Sequence, residues 1–412
     1  MSELLPALDG LGTPCHLVGG AVRDLLRGES SADLDLALAD GAAAAATVLA
    51  ERLGGSSVVH DEFATATVRA GGLVVDLATT RRETYESPGA LPAVEPAPLG
   101  EDLGRRDFTI NAMAIGLTGE DLGRLYDPLG GQADLDAGLI RVLHPASFLD
   151  DPTRLLRALR YESRLGFALD DETERLARAA VAAGALETVS GVRVGVELLD
   201  LLSEREAAAA VARLGELGID RALQPAVKAD PELVAGARLA ALEARARLAL
   251  TALAALIAHR PGVEPGPRVG VEPGPRAGVE EWVGGLGLEA AERDAVLRAA
   301  GIAAGLAEKL RVPLRDSELH ELLEREPAEA LALALALGAP EERVLRYTVG
   351  LSLVGLEISG ADMLAAGIPE SPAIGLALRE TLRRKLDGEL SGRENELSTA
   401  LALAREAAGA SR

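Results

Sequence analysis

The chain changes character near residue 145, and this change constrains the possible folds more than any other feature of the sequence. Before it, short β-like runs alternate with turns, whereas almost everything after Ser147 has the pattern of helices rich in Ala, Leu, Glu and Arg. Hydrophobic residues make up 48% of the 412 residues but aromatic residues only 2%, which favours packed helices over an aromatic-rich β-sandwich. We therefore predict an α+β protein, in which a small mixed β-sheet domain precedes an all-α region.

The first part of the chain contains the signals of a small sheet with helices. A Gly-Gly pair ends the first strand and opens a helix, which Gly28 closes. Two further apolar runs are joined across Gly71-Gly72, which is typical of a β-hairpin. The predicted elements are a strand over 16–18, a helix over 21–27, a strand over 33–38, and a hairpin with strands over 65–69 and 73–77.

The second part is predicted to be helical and to contain one insertion. Segments 239–258, 290–310 and 327–337 have the composition of helices in a bundle or a stacked array. Residues 262–276 hold a tandem GVEPGPR repeat, whose Pro and Gly content is incompatible with a helix or a central strand. We interpret this repeat as a flexible surface linker or insertion.

A chain of this length exceeds one ordinary hydrophobic core, so we expect several domains. The predicted domains are a mixed-sheet head over 1–145, a helical neck over 146–215, and a helical body and tail over 216–412 with a Pro/Gly-rich insertion near 261–280.

Charge and cysteine content exclude several classes of protein. A net charge of −22 argues against a general binder of polyanions, so any contact with nucleic acid must be local. The single cysteine, Cys15, excludes an intrachain disulfide framework and a multi-cysteine zinc site, and it reads as a buried small residue. The N-terminus has no signal-peptide pattern and no run is long enough to span a bilayer, so we expect a soluble cytoplasmic protein without a membrane partner.

Two aspartates of the predicted second strand are candidate metal ligands. Because side chains alternate along a strand, Asp33 and Asp35 share one face, opposite the leucines beside them. Carboxylates held side by side repel one another, and a divalent cation relieves this repulsion while staying open to substrate phosphates. A solvated strand face is the alternative, since an isolated Asp-x-Asp is a weak signal. Asp76 joins the pair if its strand lies next to theirs; otherwise it caps a strand.

The Gly-Gly turn is a candidate phosphate site. Gly19 and Gly20 let the backbone approach a ligand closely, and they bring backbone N–H groups to the start of a helix, which favours anions. Arg23, near the start of that helix, is within reach of phosphate oxygens. A Gly-Gly turn on its own is more often simply a turn.

Five ordered motifs resemble those of the class II CCA-adding enzyme and bacterial poly(A) polymerase family. The resemblance covers roughly residues 14–202, about half of the chain, and a chance match of five motifs in this order is negligible. The motifs are Gly19-Gly20-Ala21-Val22-Arg23-Asp24, Asp33-x-Asp35, RRDFTINAMA from Arg105 to Ala114, DPLGGQADLDAGLIR from Asp127 to Arg141, and DDPTRLLRALRY from Asp150 to Tyr161.

The resemblance implies a template-independent nucleotidyltransferase. Two Mg²⁺ ions would lie on Asp33 and Asp35, with Asp76 as a further candidate catalytic residue. An RNA 3′-hydroxyl would attack the α-phosphate of CTP or ATP in line, and pyrophosphate would leave.

The third motif is implied to bind the nucleotide. Arg106 and Asp107 would contact its phosphates and ribose, because a guanidinium forks onto phosphate and a carboxylate accepts hydrogen bonds from hydroxyls. Asn111 would touch the sugar or orient its own loop, with the two roles equally open. Phe108, Ile110 and Met113 read as core residues.

The fifth motif is implied to select the base. The segment 150–161 is predicted to be one helix with a proline in its first turn. By resemblance, Asp151 and Arg154 form a protein template for the Watson–Crick edge of the incoming base, and the carboxylate accepts from the exocyclic amine that C and A both carry. Arg157 would reach the nucleotide or hold this geometry, and Arg160, on the same side of the helix, would assist it or be purely structural.

The chain departs mildly from the family pattern. The family commonly has Glu-Asp where this chain has Asp150-Asp151. A later motif, Ser190 to Leu198, contains two glycines that a stable helix would avoid. We expect its Arg193 and Glu197 to form an i, i+4 pair that braces the neck.

The motifs leave several activities open. The 3′ end of tRNA is the predicted partner, with CTP and ATP as substrates, because the acidic helical second half resembles the tRNA-binding body and tail of the family. Addition of complete CCA, of CC alone, of the final A alone, or of poly(A) are all compatible with the template motif. An inactive homologue that only binds RNA or nucleotide is the alternative outside catalysis, and the intact Asp33, Asp35, Arg106 and Asp151 argue against it.

Overall fold

The structure is a computed structural model that describes residues 4–30, 33–60, 65–258 and 275–410. It divides into two compact units, Met1–Pro225 and Ala226–Arg412. Because this division separates only two units, the three domains expected from the sequence stay a prediction. None of the helices in the described ranges combines the length and the apolar character that crossing a membrane requires.

The first unit is built on a mixed β-sheet. Its strands are β1 Cys15–Val18, β2 Asp33–Leu38, β3 Ser56–His60, β4 Thr65–Ala70, β5 Leu73–Thr79, β6 Arg81–Thr84, β7 Ala93–Pro96, β8 Ala114–Gly116, β9 Leu125–Tyr126, β10 Leu139–Ile140 and β11 Ala168–Leu169. Seven of them form one sheet in the order β3-β4-β5-β2-β1-β8-β9, and β6 with β7 and β10 with β11 form two small pairs. Within the large sheet β2 and β5 are parallel, and the other neighbouring strands are antiparallel.

The helices of the first unit cover the sheet and then form a bundle of their own. They are α1 Leu4–Leu8, α2 Gly20–Leu26, α3 Ala42–Leu53, α4 Leu99–Gly104, α5 Gly131–Ala137, α6 Ser147–Asp150, α7 Arg154–Leu165, α8 Asp171–Ala182, α9 Gly191–Ser203, α10 Ala207–Leu217 and α11 Ile219–Leu223. α3 packs on β3 and β4, and α7 packs against α9 and α10. The predicted order of a mixed sheet followed by helices is therefore confirmed.

The local predictions for the sheet also agree with the structure. The leucines of β2 are buried whereas Asp35 is exposed, which is the alternation that the sequence indicates. Gly71 and Gly72, both with positive φ, turn β4 into β5. Cys15, Phe108 and Met113 are fully buried, as expected.

The helix predicted over 150–161 is wrong in one respect, because it is interrupted at its start. α6 ends one residue before Asp151, which is extended with φ −133° and ψ 94°, and α7 begins only at Arg154. Pro152 disfavours a helical conformation for the residue that precedes it. The Asp151 carboxylate also accepts a hydrogen bond of 3.1 Å from the Thr153 backbone N–H, which competes with helix formation. Asp151 therefore lies on a turn ahead of the helix that carries Arg154.

The second unit is all helical. Its helices are α12 Pro231–Ala244, α13 Leu248–Ile257, α14 Pro275–Gly285, α15 Ala290–Arg311, α16 Asp316–Leu323, α17 Ala328–Ala336, α18 Glu341–Leu345, α19 Gly360–Ala365, α20 Pro372–Leu386 and α21 Arg393–Ala410. α12, α13, α15 and α17 pack together through small and branched apolar side chains. A separate cluster joins α19, α20 and α21 around the buried Met363 and Ile374.

The segment predicted as one helix over 239–258 is two helices in the structure. Arg245 ends α12 in the left-handed conformation, with φ 55°, and its N–H bonds back to carbonyls of α12. This break lets α13 pack against α12. The helices predicted over 290–310 and 327–337 are confirmed as α15 and α17.

The tandem repeat falls almost entirely on residues 259–274, which lie outside the described residues. Its interpretation as a surface linker or insertion therefore stays a prediction. α14 begins directly afterwards, at Pro275.

Candidate active site

Carboxylates of two adjacent strands meet in one row across the sheet. In the parallel ladder of β2 and β5, Asp35 lies directly opposite Asp76. Thr67 of β4 is next in the row, and its Oγ1 donates a hydrogen bond of 2.6 Å to Asp76 Oδ1. Asp35 and Asp76 are both exposed. The strand of Asp76 thus lies next to that of the acid pair, which is the condition for Asp76 to join them, and its catalytic role stays a prediction.

Asp33 occupies the register position two residues before Asp35, opposite Val74. Strand alternation assigns this position to the same face of the sheet as that of Asp35. Carboxylate oxygens are the ligands that Mg²⁺ prefers. The donors that the two strands bring to this row therefore fit a divalent cation.

Gly19 brings the glycine turn against this row. It precedes α2 with φ 72° and ψ −141°, a backbone conformation that residues other than glycine avoid. A Cβ on Gly19 would lie 2.9 Å from Arg106 Nη1 and 3.6 Å from Asp35 Oδ2. The turn therefore lies close to both the Arg106 guanidinium and the carboxylate row. Gly20, the next residue, begins α2.

The helix that follows this turn belongs to a buried polar network. Arg23, only 3% exposed, donates from Nη1 to Asn111 Oδ1 over 2.7 Å. Asn111 in turn donates from Nδ2 to Asp107 Oδ1 over 3.0 Å. In this structure Arg23 therefore orders Asn111 inside the protein, and its contact with a phosphate stays a prediction.

Asp107 is the centre of this network. Its Oδ2 accepts from Arg157 Nε and Nη2 at 3.0 and 2.7 Å, and the carboxylate is 8% exposed. Burial alone would raise the pKa of Asp107, but Arg157, together with hydrogen bonds from Asn111 and the Phe108 N–H, holds that pKa below its usual value. The carboxylate is therefore ionised at neutral pH, and both its oxygens are engaged within the protein.

The next layer of the network corrects the pairing expected in α9. Arg157 Nη1 donates to Glu197 Oε1 over 2.9 Å, and Arg160 lies 3.5 Å from the same carboxylate and 2.9 Å from Asp200. Arg193 instead reaches Asp151, at 2.8 Å. The predicted Arg193–Glu197 pair is wrong, because each side chain has a partner on another segment at salt-bridge distance. α9 thus braces α7 through Glu197 and the turn ahead of α7 through Arg193.

Asp102 is a site residue that the motifs do not include. This carboxylate is 2% exposed and accepts from two guanidinium groups: Arg105 reaches Oδ1 at 2.8 Å and Arg106 reaches Oδ2 at 3.0 Å. The spacing of i, i+3 and i, i+4 from an acid to two arginines was the available signal. Asp102 therefore fixes the direction of the guanidinium that lies beside Gly19.

Asp102→Asn is expected to destabilise the first unit by about 1–3 kcal/mol at pH 7, since it leaves two arginines facing a neutral amide. Burial alone would raise the pKa of Asp102, but Arg106 and Arg105 hold that pKa below its usual value. A carboxyl whose pKa is depressed by folding contributes stability above its unfolded pKa and loses it as the pH falls. Urea unfolding of both proteins should therefore show a difference at pH 7 that shrinks towards pH 3; a difference independent of pH would contradict the assignment.

The two residues of the predicted base template lie near each other but have separate partners. Arg154, 5% exposed, donates to Ser147 Oγ over 2.6 Å and to the Arg105 carbonyl over 2.8 Å. Asp151 Oδ1 accepts from the Thr153 hydroxyl at 2.6 Å and from Arg193 at 2.8 Å. Arg154 of the fifth motif is thus tied to the third motif through the backbone carbonyl of Arg105.

A cleft of about 360 Å³ opens beside Arg154. Burial and the neighbouring Glu83 raise the pKa of Tyr85 to about 12, so this phenol stays protonated and donates to Glu83 over 3.1 Å. The cleft is lined by Arg82, Glu83, Tyr85, Glu101, Gly104, Arg105, His144, Asp150 and Arg154. Both acidic and basic side chains thus line the cleft next to the start of α7.

Comparison with known proteins extends the motif resemblance to nearly the whole chain. The model of the poly(A) polymerase head domain family matches residues 15–141. An A-adding tRNA nucleotidyltransferase of Geobacter sulfurreducens is 34% identical over 97% of this chain and 46% of its own length. A multifunctional CCA protein of Neisseria gonorrhoeae is 38% identical over 52% of this chain and 50% of its own length. The chain thus spans about half the length of these curated relatives.

Solved structures match nearly the full length of this chain, and the match also covers nearly the full length of their own chains. A CCA-adding enzyme in an apo form is 32% identical and has a TM-score of 0.78, with 97% of this chain and 94% of that chain covered. The Thermotoga maritima CCA-adding enzyme in complex with tRNA is 29% identical and has a TM-score of 0.72, with 97% and 93% covered. The family resemblance predicted from the five motifs is therefore confirmed.

Proposed function

Because the chain belongs to the family of class II CCA-adding enzymes and bacterial poly(A) polymerases, we propose that it adds CCA to the 3′ end of tRNA from CTP and ATP. The observation that carries the proposal is the meeting of the carboxylate row, the Gly19 turn and Arg106 at one place. An RNA 3′-hydroxyl would attack the α-phosphate there, and pyrophosphate would leave.

Asp33 and Asp35 would hold two Mg²⁺ ions, with Asp76 beside them in the row. When bound, the ions would lower the pKa of the attacking hydroxyl and offset the charge that develops on pyrophosphate. Hydrogen bonding from Thr67 would fix the orientation of the Asp76 carboxylate. All three acids come from neighbouring strands, so a rigid sheet would set their spacing.

Arg106 is the group best suited to bind a phosphate of the nucleotide. Its Nη2 is held by Asp102, and its Nε is buried without a hydrogen-bond partner among the described residues. A buried N–H without a partner is unfavourable, and a phosphate oxygen would supply the acceptor. The buried network beside Arg106 would support the ribose and the phosphates of the nucleotide. Its members are Asp107, Asn111, Arg157 and Arg160.

Asp151 and Arg154 would select the base. The carboxylate would accept from the exocyclic amine of C or A, and the guanidinium would donate to a ring nitrogen or carbonyl. U and G carry a carbonyl where C and A carry that amine, so they would face the carboxylate with an acceptor. Selection would then depend on the protein alone, without a nucleic-acid template.

Asp151→Ala is expected to raise incorporation of UTP and GTP relative to CTP and ATP by about tenfold, since one specific base contact discriminates by about 1–3 kcal/mol. Primer extension with each of the four nucleotides supplied singly measures these ratios. Asp171→Ala, an exposed carboxylate at the start of α8, is the matched control. Background incorporation of UTP and GTP by the Asp151 variant would rule out the template role.

The single most informative experiment uses tRNAs that lack all three, the last two, or only the last of the CCA nucleotides. Each is incubated with Mg²⁺ and either CTP or ATP, and the products are sequenced. Extension to CC of the first two substrates with CTP, together with addition of one A to the third with ATP, supports the proposal. Absence of any metal-dependent incorporation would leave only the inactive, RNA-binding alternative.

Addition of the terminal A alone is the second candidate, because the Geobacter relative and two others, from Aquifex aeolicus and Halalkalibacterium halodurans, are named A-adding enzymes. In that case only the tRNA that ends in CC would grow, and only with ATP. A CC-adding enzyme would extend the other two substrates with CTP and stop. A poly(A) polymerase would instead add long A tails without regard to the starting end.

A further inference from the structure

Asp151 and Arg154 carry opposite charges three residues apart, so a salt bridge between them is the simplest arrangement. Oppositely charged side chains at this spacing commonly pair. No salt bridge joins the two within the part of the chain that the structure describes. Arg154 is occupied by Ser147 and the Arg105 carbonyl, and Asp151 by its own turn and by Arg193. Each template residue is therefore held by a different set of partners.

Arg193 is the positively charged partner of Asp151. Its Nη2 donates to Asp151 Oδ1 over 2.8 Å, and the two side chains are about one quarter and one fifth exposed. The Thr153 N–H and hydroxyl reach the same oxygen, at 3.1 and 2.6 Å. Among the described residues, donors thus gather on Oδ1, and Oδ2 is the oxygen that a base amine can use.

The other arm of Arg193 is anchored to backbone that is itself fixed. Nη1 donates to the Gly89 carbonyl over 3.0 Å. Gly89 has φ 72°, and a Cβ there would lie 2.3 Å from Thr188 Oγ1, so only glycine fits. Its N–H bonds to the Leu149 carbonyl of α6 at 3.2 Å. Arg193 therefore bridges the template turn and a tightly packed loop, and a planar fork is needed to make both contacts.

We propose that Arg193 is a positioning residue for base selection, which holds the Asp151 carboxylate apart from Arg154 so that both remain available to the incoming base. The inference rests on the proposed function and names the residue that sets base choice at the same site. Without Arg193, the hydrogen bonds from Thr153 remain, but no positive charge opposes the pull of Arg154 on the carboxylate. An internal pair with Arg154 would consume the acceptor that distinguishes the amines of C and A from the carbonyls of U and G.

Arg193→Met tests the inference, because methionine keeps much of the side-chain length and removes the charge and both donors. The ratio of UTP to CTP incorporation into tRNA is expected to rise about tenfold, and KM for CTP is expected to rise more than kcat falls. Arg193→Lys restores the charge but only one point of contact, so it should recover part of the selectivity. Arg175→Met, an exposed arginine of α8 that pairs with Glu172, is the matched control and should leave the ratio unchanged.

A double-mutant cycle separates positioning from general damage. In the Asp151→Ala background, adding Arg193→Met should leave the UTP-to-CTP ratio unchanged, because the group that it positions is gone. An equal further rise in that background would overturn the inference, as would unchanged selectivity of a folded Arg193→Met protein. Incorporation by the wild-type protein tests the proposed function separately. If the wild-type protein incorporates neither CTP nor ATP, the proposed function itself is wrong.

Discussion

Asp35→Asn is expected to lower nucleotide incorporation by at least about a thousandfold, while the protein stays folded. Asparagine keeps the shape of the side chain but loses the charge that a divalent cation requires, and metal stabilisation of the transition state is worth several kcal/mol, at about 1.4 kcal/mol for each tenfold change in rate. The side chain is exposed, so the core is untouched. Single-turnover extension of tRNA with labelled ATP or CTP measures the loss, and circular dichroism monitors the fold.

Asp40→Asn provides the matched control for this substitution. Asp40 is an exposed aspartate just beyond the end of β2, outside the carboxylate row. It carries the same change of charge in the same segment, and its variant should incorporate nucleotides at the wild-type rate. Near-normal activity of Asp35→Asn would exclude Asp35 as a metal ligand.

Arg157→Met is expected to lower the free energy of unfolding of the first unit by about 3–5 kcal/mol, the usual cost of leaving a buried charge without its partner. The carboxylate left behind is that of Asp107, and Glu197 loses a hydrogen bond of 2.9 Å at the same time. Urea unfolding followed by circular dichroism measures the change. Incorporation should fall as well, since the network also positions Asn111.

Two further variants isolate the buried charge as the cause. Arg164→Met removes an exposed arginine from the same helix and should change stability by less than about 0.5 kcal/mol. Adding Asp107→Asn to Arg157→Met should recover part of the lost stability, because an amide is less costly to bury than a carboxylate. Equal stability of Arg157→Met and Arg164→Met would contradict the account.

The features predicted well from the sequence are those fixed by local geometry. Period-two alternation sends Asp35 to the face opposite its neighbouring leucines, and this holds whatever the strand pairs with. The Gly19 turn likewise follows from a backbone conformation that few residues adopt. The break before Arg154 had a local signal too, in the proline that follows Asp151, but the helical pattern of the arginines outweighed it.

The partner of each charged side chain could not be predicted from the sequence. Arg193 and Glu197 have ideal spacing for a pair, yet their partners come from distant segments that fold against α9. Asp102 gains its role only because α4 brings Arg106 beside Gly19. Arg245, which splits the predicted long helix, is a good helix former, so its residue type gave no sign of the left-handed backbone that ends α12.

The parallel pairing of β2 with β5 also governs the order in which the site is assembled. Parallel strands cannot be joined by a tight turn, so β3 and β4 lie between them in the sequence. We expect the β4–β5 hairpin to close locally and fast, whereas β2 pairs with β5 only across the segment that holds α3, β3 and β4. We therefore expect Asp76 to be in place on a formed hairpin before Asp35 pairs beside it. Catalytic competence would be acquired only in the slow, long-range step of folding.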